Sequence, residues 1–188
     1  MPLSLPTSSN AAVIFLDLQN EIVKNSRTVP LERLRARAVA LAKLAALHKL
    51  PAFASSVPPG GEYLPEVLAA VPGVTPRPRT QTTAFADSGL VDALRQSGRS
   101  IVVLSGVASE IVVQRTALDA LAAGFEVHVA VDACGGIDAR TEEAAWRRIV
   151  QAGGVTTSAT TFIAELAGDF TTELGGATLG IMYETLAS

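Results

Sequence analysis

SIVVLSGVASEIVVQRT, residues Ser100 to Thr116, contains a complete strand–turn–helix unit. Its opening run, Ile101-Val102-Val103-Leu104, is apolar without interruption and rich in β-branched residues, as suits a parallel strand buried on both faces. Ser105-Gly106 predicts a sharp turn and Ser109 a helix N-cap. Glu110 falls in the first helical turn, where a negative charge suits the helix dipole. A unit of this kind sets backbone N–H groups at the carboxyl end of a strand, where open α/β sheets bind their ligands. One turn into the helix, where a nucleophile would gain most from those groups, stands Val112.

Working outward, the same alternation of strand and helix recurs on both sides. Ala11 to Leu16 (AAVIFL) predicts the first strand, and an amphipathic helix behind Pro30 runs from Leu31 to His48, with His48 read as a helix-end residue. Pro51 to Ser55 predicts the second strand, Val57 to Gly61 a loop, and Tyr63 to Ala70 a short helix. Thr75 to Phe85 (TPRPRTQTTAF) reads as an extended, proline-fixed segment carrying Arg77 and Arg79, either solvated or functional. Asp87 or Ser88 caps a helix to Gln96 that Gly98 ends. The helix from Ser109 stops at Gly124, Phe125 to Val131 predicts the next strand, and Asp132 to Gly136 the loop after it. His128 inside that strand reads as a packed residue. Thr141 to Ala152 predicts a helix, Val155 to Thr157 a last short strand, and Phe162 the start of another helix. Residues 1–10 read as an N-terminal arm, and the apolar tail from about 170 to 188 as an arm or helix packed on a neighbour.

The implied fold class is α/β. It is a three-layer α/β/α domain, 1–188, with a central, mostly parallel sheet of Rossmann-like topology. Three segments then meet on one rim: Asp17 after the first strand, the Ser105-Gly106 turn, and Cys134. A carboxylate at the end of a fully apolar strand, as at Asp17, needs a cation or several donors, unless it merely caps the next turn.

Composition narrows the function. The chain has 188 residues, 48% of them hydrophobic and only 18% charged, so part of its surface is expected to lie between subunits of a homo-oligomer. A net charge of −3 with no basic run argues against a nucleic-acid partner. The single cysteine excludes an intrachain disulfide and suits a reducing compartment. No leader-like segment and no apolar run of membrane-spanning length occurs, so a cytoplasmic protein without a membrane partner is expected. There is no Walker lysine loop, no GxGxxG after a strand, and no histidine pair with metal-ligand spacing.

In this order and spacing, Asp17-Leu18-Gln19, Arg79-Thr80-Gln81-Thr82-Thr83-Ala84-Phe85, Gly106-Val107-Ala108-Ser109-Glu110, Thr116 to Ala120, Gly124 to Val127 and Val131-Asp132-Ala133 resemble the isochorismatase-like, or cysteine hydrolase, superfamily. The likeness extends from about Ala11 to the end. The segments Ala144-Ala145-Trp146 and Gln151 to Val155 resemble its bacterial branch of multimeric hydrolases of unknown substrate. The resemblance implies an Asp–Lys–Cys triad attacking an amide carbonyl, a Val107–Ala108 peptide in the cis form, a small-molecule substrate, and no cofactor or metal. This chain matches one member of three. Asp17 is present, Arg79 stands where the family has Lys, and Val112 stands where the nucleophile belongs.

By the same resemblance, Asp17 and Arg79 carry any chemistry. Gln19, Phe85, Val107, Ala108, Val112 and Cys134 surround the substrate. Two functions fit: a hydrolase acting through Asp17 without a covalent step, or a non-catalytic descendant that binds a small molecule or serves as an oligomeric structural protein.

Overall fold

A computed structural model describes residues 4–187; residues 1–3 of the expected N-terminal arm and Ser188 of the tail lie outside the described residues. The strands are β1 (Ala11–Leu16), β2 (Ala52–Ser56), β3 (Pro76–Pro78), β4 (Ile101–Val107), β5 (Glu126–Gly135) and β6 (Val155–Thr157). All pair in parallel, in the order β3-β2-β1-β4-β5-β6. The helices are α1 (Asn20–Val23), α2 (Leu31–Leu47), α3 (Pro65–Ala70), α4 (Ser88–Gln96), α5 (Gln114–Ala122), α6 (Ala139–Gln151), α7 (Ala159–Ala167) and α8 (Glu173–Ala187).

The pleat of β1 sorts the core into two halves. Ala11, Val13 and Phe15 face one side, with Leu34 and Leu41 of α2, Val67 of α3, and Phe162 and Ile163 of α7. Ala12, Ile14 and Leu16 face the other, with Leu90 and Leu94 of α4, Ala117 and Ala120 of α5, and Ile149 of α6. All six residues of β1 are buried, the signature of a strand covered on both faces. The result is the three-layer α/β/α fold. Among the described residues no helix is long and apolar enough to cross a membrane.

β4 does not turn at Ser105-Gly106 as expected; it continues to Val107, with Gly106 beside Leu16 of β1. A Cβ on Gly106 would lie 2.2 Å from the Leu16 carbonyl oxygen, so only glycine allows this approach. On its other side β4 meets a bulge: Leu104 pairs with Val129 and Gly106 with Cys134. Two steps along β4 thus face five along β5, and the expected loop at 132–136 is largely strand. Ser105 Oγ donates to the Ala133 carbonyl (2.7 Å) and holds the bulge.

Ser109 is not the helix N-cap. Ala108 takes that position without a side-chain bond, and the first turn, Ser109–Val113, is a π-turn leading into α5. Ser109 Oγ instead donates to Glu142 on α6 (2.7 Å). The tail forms α8, which packs on α2 and α7. His48 caps α2 and ties two segments to it, through Ser8 Oγ (2.9 Å) and Thr178 Oγ1 (2.7 Å). His128 is buried as expected, and burial lowers its pKa.

At the β3 edge the Arg79 N–H donates to Ser56 of β2 (2.9 Å). The alternate positions, whose N–H groups would face outward, are Pro76 and Pro78, which have none; a further strand finds no donors there.

Asp87 caps α4, its Oδ1 accepting from the N–H groups of Gly89 (2.9 Å) and Leu90 (3.2 Å). The side edge of the Arg77 guanidinium, Nε and Nη2, also grips it (2.5 and 3.0 Å). Those Arg77 hydrogen bonds, helped by the helix-start N–H groups, hold the Asp87 carboxyl below its ordinary value against the opposing push of burial. A depressed folded pKa means stability that is complete above the unfolded value and lost as pH falls through the folded one. Asp87→Ala should therefore cost about 1–2 kcal/mol in urea unfolding at neutral pH. The gap from wild type should close as pH falls through the carboxylate range.

Candidate active site

The strand order reverses between β1 and β4, so the loops after them part and leave a crevice beyond their carboxyl ends. A cavity of about 280 Å³ lies there. Its walls come from the segment after β1 (Asp17, Ile22 of α1 and Asn25 beyond it), Val57 after β2, and Arg79, Thr80, Gln81 and Thr82 after β3. Val107, Ala108, Ile111 and Val112 follow from β4, and Ile137 from the segment after β5. The peptide between Val107 and Ala108 is cis, as the resemblance implies.

Asp17 and Arg79 meet at this wall. Nη1 of Arg79 donates to Oδ1 of Asp17 (2.5 Å) and Nη2 to Oδ2 (2.8 Å); Nη1 also donates to Ser55 Oγ (3.0 Å). Their side chains are 7% and 2% exposed, so this is a buried pair, in which desolvation opposes Coulomb attraction. Asp17 adopts a left-handed backbone (φ 53°), a conformation that Asp tolerates better than most residues. Its N–H donates to the Ser55 carbonyl (3.0 Å), and Leu18 and Asn20 pair with Leu64 and Glu62, which anchors the loop. Tyr63 supports it from below by donating to the Phe15 carbonyl (3.0 Å). Burial, and then the negative charge of Asp17, push its phenol well above the ordinary value.

Of the expected site residues, Asp17, Arg79, Val107, Ala108 and Val112 line the cavity. Three others do not, each for a local reason. Gln19 spends its amide on backbone: Nε2 donates to the carbonyls of Val57 (3.0 Å) and Gly61 (2.8 Å), and Oε1 accepts from the Val57 N–H (2.8 Å). Gln19 thus places Val57 rather than touching a ligand. Phe85 packs instead on the α4–α6 half of the core, edge-to-face on Phe125, with ring centroids 5.9 Å apart. Cys134 belongs to the extended β5 and is fully buried in the α4–α6 half of the core, its Sγ 3.9 Å from the Leu104 carbonyl. Burial pushes that thiol far above its ordinary pKa.

Sequence reasoning missed Ile22, Asn25, Val57, Ile111 and Ile137, which reach the cavity through loop geometry that no spacing encodes. Thr80, Gln81 and Thr82 were within reach, since they adjoin Arg79 in the quoted motif. Glu110 has a role beyond the helix dipole. Its Oε1 accepts from the N–H groups of Ile137 (2.9 Å) and Asp138 (3.3 Å) and from Thr141 Oγ1 (2.8 Å), pinning Ile137 at the mouth. A larger groove of about 610 Å³ borders β3, but its charged residues, Arg77 and Asp87, already satisfy each other.

The Isochorismatase domain model matches residues 11–161, which include every wall of the cavity. The chain belongs to the isochorismatase family. It is 31% identical over 151 residues to the probable hydrolase YcaC of Escherichia coli, an alignment spanning 77% of this chain and 72% of that protein. YcaC from Pseudomonas aeruginosa, solved with hexane-2,5-diol and covalent acrylamide, superposes with a TM-score of 0.91 at 26% identity, over 100% of this chain and 96% of the other. The Escherichia coli YcaC structure, described as an octameric hydrolase of unknown specificity, also superposes at 0.91 and 26%, over 98% and 92%.

The contact between Asp17 and Arg79 has a thermodynamic consequence. Arg79→Ala should destabilise the fold by about 3–5 kcal/mol, because it strands a buried carboxylate. Asp17→Asn combined with Arg79→Met should recover much of that loss. A double-mutant cycle by urea unfolding should give a coupling above about 0.5 kcal/mol; additivity within that margin would contradict the pair.

Proposed function

We propose that this isochorismatase-family protein is a hydrolase of a small molecule that works without a covalent enzyme intermediate and depends on Asp17. The observation that carries the reading is a formed cavity with the Asp17–Arg79 pair at its wall and Val112, which has neither lone pair nor transferable proton, at the start of the helical segment. An ionised carboxylate has about four lone-pair sites, of which Arg79 takes two. The others are free to accept a proton from a water that attacks the substrate, and that proton passes on to the leaving group. The hydrolase names of the YcaC relatives support the reaction class, though not the route.

A non-catalytic, small-molecule-binding role is the second reading. It is favoured by the two-bond grip on Asp17 and by the lack of any Cys, Ser or His among the described lining residues. A pooled screen of amides, ureido acids and enol ethers tests both: turnover by wild type that Asp17→Asn abolishes supports the hydrolase, and no turnover of any substrate favours binding alone.

Val112→Cys provides a direct test of the missing nucleophile. This variant should become stoichiometrically alkylated by iodoacetamide, read by intact mass, whereas wild type with its buried Cys134 should resist. Rapid modification of wild type that Cys134→Ser prevents would contradict the assignment.

We also infer a homo-oligomer. Phe170, Leu174, Tyr183 and Leu186 are all exposed on α8 or just before it, in a helix with acidic residues only at 173 and 184. Light scattering at micromolar concentration should give a multiple of the 19.5 kDa chain mass.

A further inference from the structure

Ser8, His48 and Thr178 form a hydrogen-bonded relay at the amino end of the sheet, the end opposite the crevice. Ser8 is exposed on the turn that precedes β1, His48 is buried at the end of α2, and Thr178 is fully buried on α8. Ser8 Oγ lies 2.9 Å from His48 Nδ1, and His48 Nε2 lies 2.7 Å from Thr178 Oγ1. The single hydroxyl hydrogen of Thr178 goes to the Leu174 carbonyl (2.8 Å), so toward His48 its oxygen accepts. The network therefore assigns the imidazole proton to Nε2 and a lone pair to Nδ1, and Ser8 is the donor. A nucleophile, a base and a group that orients the base stand within hydrogen-bond reach of one another. Burial lowers the pKa of His48, so at neutral pH the ring is uncharged and able to take a proton.

From this relay we infer a second reactive site: Ser8 is acylated by small esters that carry a good leaving group, with His48 as general base. The Ser8 oxygen attacks the ester carbonyl carbon while its hydrogen passes to Nδ1. The bond from that carbon to the leaving oxygen then breaks, and the imidazolium returns the proton to the leaving oxygen. Acyl-Ser8 and an alcohol are formed, and no further reactant is needed. Thr178 is a positioning residue. Its neutral hydroxyl fixes the tautomer but gives the imidazolium no counter-charge, so the assistance is at the low end of the about 10²–10⁴-fold that general-base catalysis supplies. Ser9, next in the chain and also exposed, is an internal comparison, because its Oγ pairs with Thr7 Oγ1 (3.0 Å) rather than with an imidazole. Residues 4–10 include no charged side chain. The charges on the elements that meet there are Glu126, bonded to Ser4, Arg99, bonded to the Ser9 carbonyl, Lys49 after His48, Glu173, and the Lys43–Glu184 pair. The shift on His48 comes from burial.

The test treats the full chain with p-nitrophenyl acetate, reading nitrophenolate release by absorbance and the acetyl position by peptide mass mapping, which counts lysine acetylation apart. Ser8 should be acetylated at least about tenfold faster than Ser9. Ser8→Ala, a change at an exposed position, should lower nitrophenolate release, and His48→Gln should slow acetylation of Ser8 at least about tenfold. The Ser8 rate should rise with pH as His48 loses its proton and then level off. Thr178→Val removes a bond that is stronger to the imidazolium, so the midpoint of that rise should move to lower pH, which loss of packing alone would not do. Equal acetylation of Ser8 and Ser9, or an unchanged Ser8 rate in His48→Gln, overturns the inference. So does wild-type Ser8 free of acetyl together with nitrophenolate release that Ser8→Ala leaves unchanged. If His48→Gln or Thr178→Val fails to fold, Ser8→Ala and the comparison with Ser9 still decide it.

Discussion

Leu16 and Gly106 lie side by side at the end of the β1–β4 pair, and the crevice beyond them exists because the two chains separate from that point. Six register pairs hold β1 against β4, and every residue of both strands is buried. The connections then leave in opposite directions, to β2 on one side and β5 on the other. Hydrogen bonding, packing and the lack of a Cβ on Gly106 all act at this seam. A larger residue there would push β4 away from β1 and displace both the Asp17 loop and the Val107–Val112 segment that face each other across the cavity.

The polar groups around the cavity divide into those that build it and those at its wall. Gln19, Tyr63 and Glu110 spend hydrogen bonds on backbone and hold the loops carrying Val57, Asp17 and Ile137. Gln19 and Tyr63, which are buried, rigidify what they touch, because releasing either strands a donor or acceptor. At the wall itself, Asp17 and Arg79 hold each other through two hydrogen bonds. A chain with lysine at this position could neutralise Asp17 but would lack the planar fork that meets both carboxylate oxygens.

Cys134 shows how one local irregularity removes a candidate from a site. A conventional loop after β5 would leave the thiol on the rim. The bulge against Leu104 and Gly106 instead returns the chain to the sheet, and Cys134 enters the core opposite Gly106. Its burial and raised pKa make it an inert packing residue. No thiol therefore lines the cavity among the described residues.

The periodicity of the sequence was enough for the three layers, the parallel sheet, and most helices to within a few residues. Apolar strands covered on both faces and amphipathic helices each leave a local pattern, as AAVIFL and the residues from Leu31 to His48 do. Asp17 was legible as a candidate because charge at the end of an apolar strand is locally anomalous, whereas Arg79 was set apart from Arg77 only by the family resemblance. The extension of β4 through Ser105-Gly106 and of β5 to Gly135, the transfer of Ser109 from cap to Glu142 partner, and the removal of Gln19, Phe85 and Cys134 from the cavity were decided by tertiary structure. Each depends on a contact between residues far apart in the chain: Leu16 with Gly106, Leu104 with Val129, Val57 with Gln19. Local pattern records which residues prefer burial or a turn, but the partner that completes a hydrogen bond or excludes a Cβ is set only when the strands are side by side.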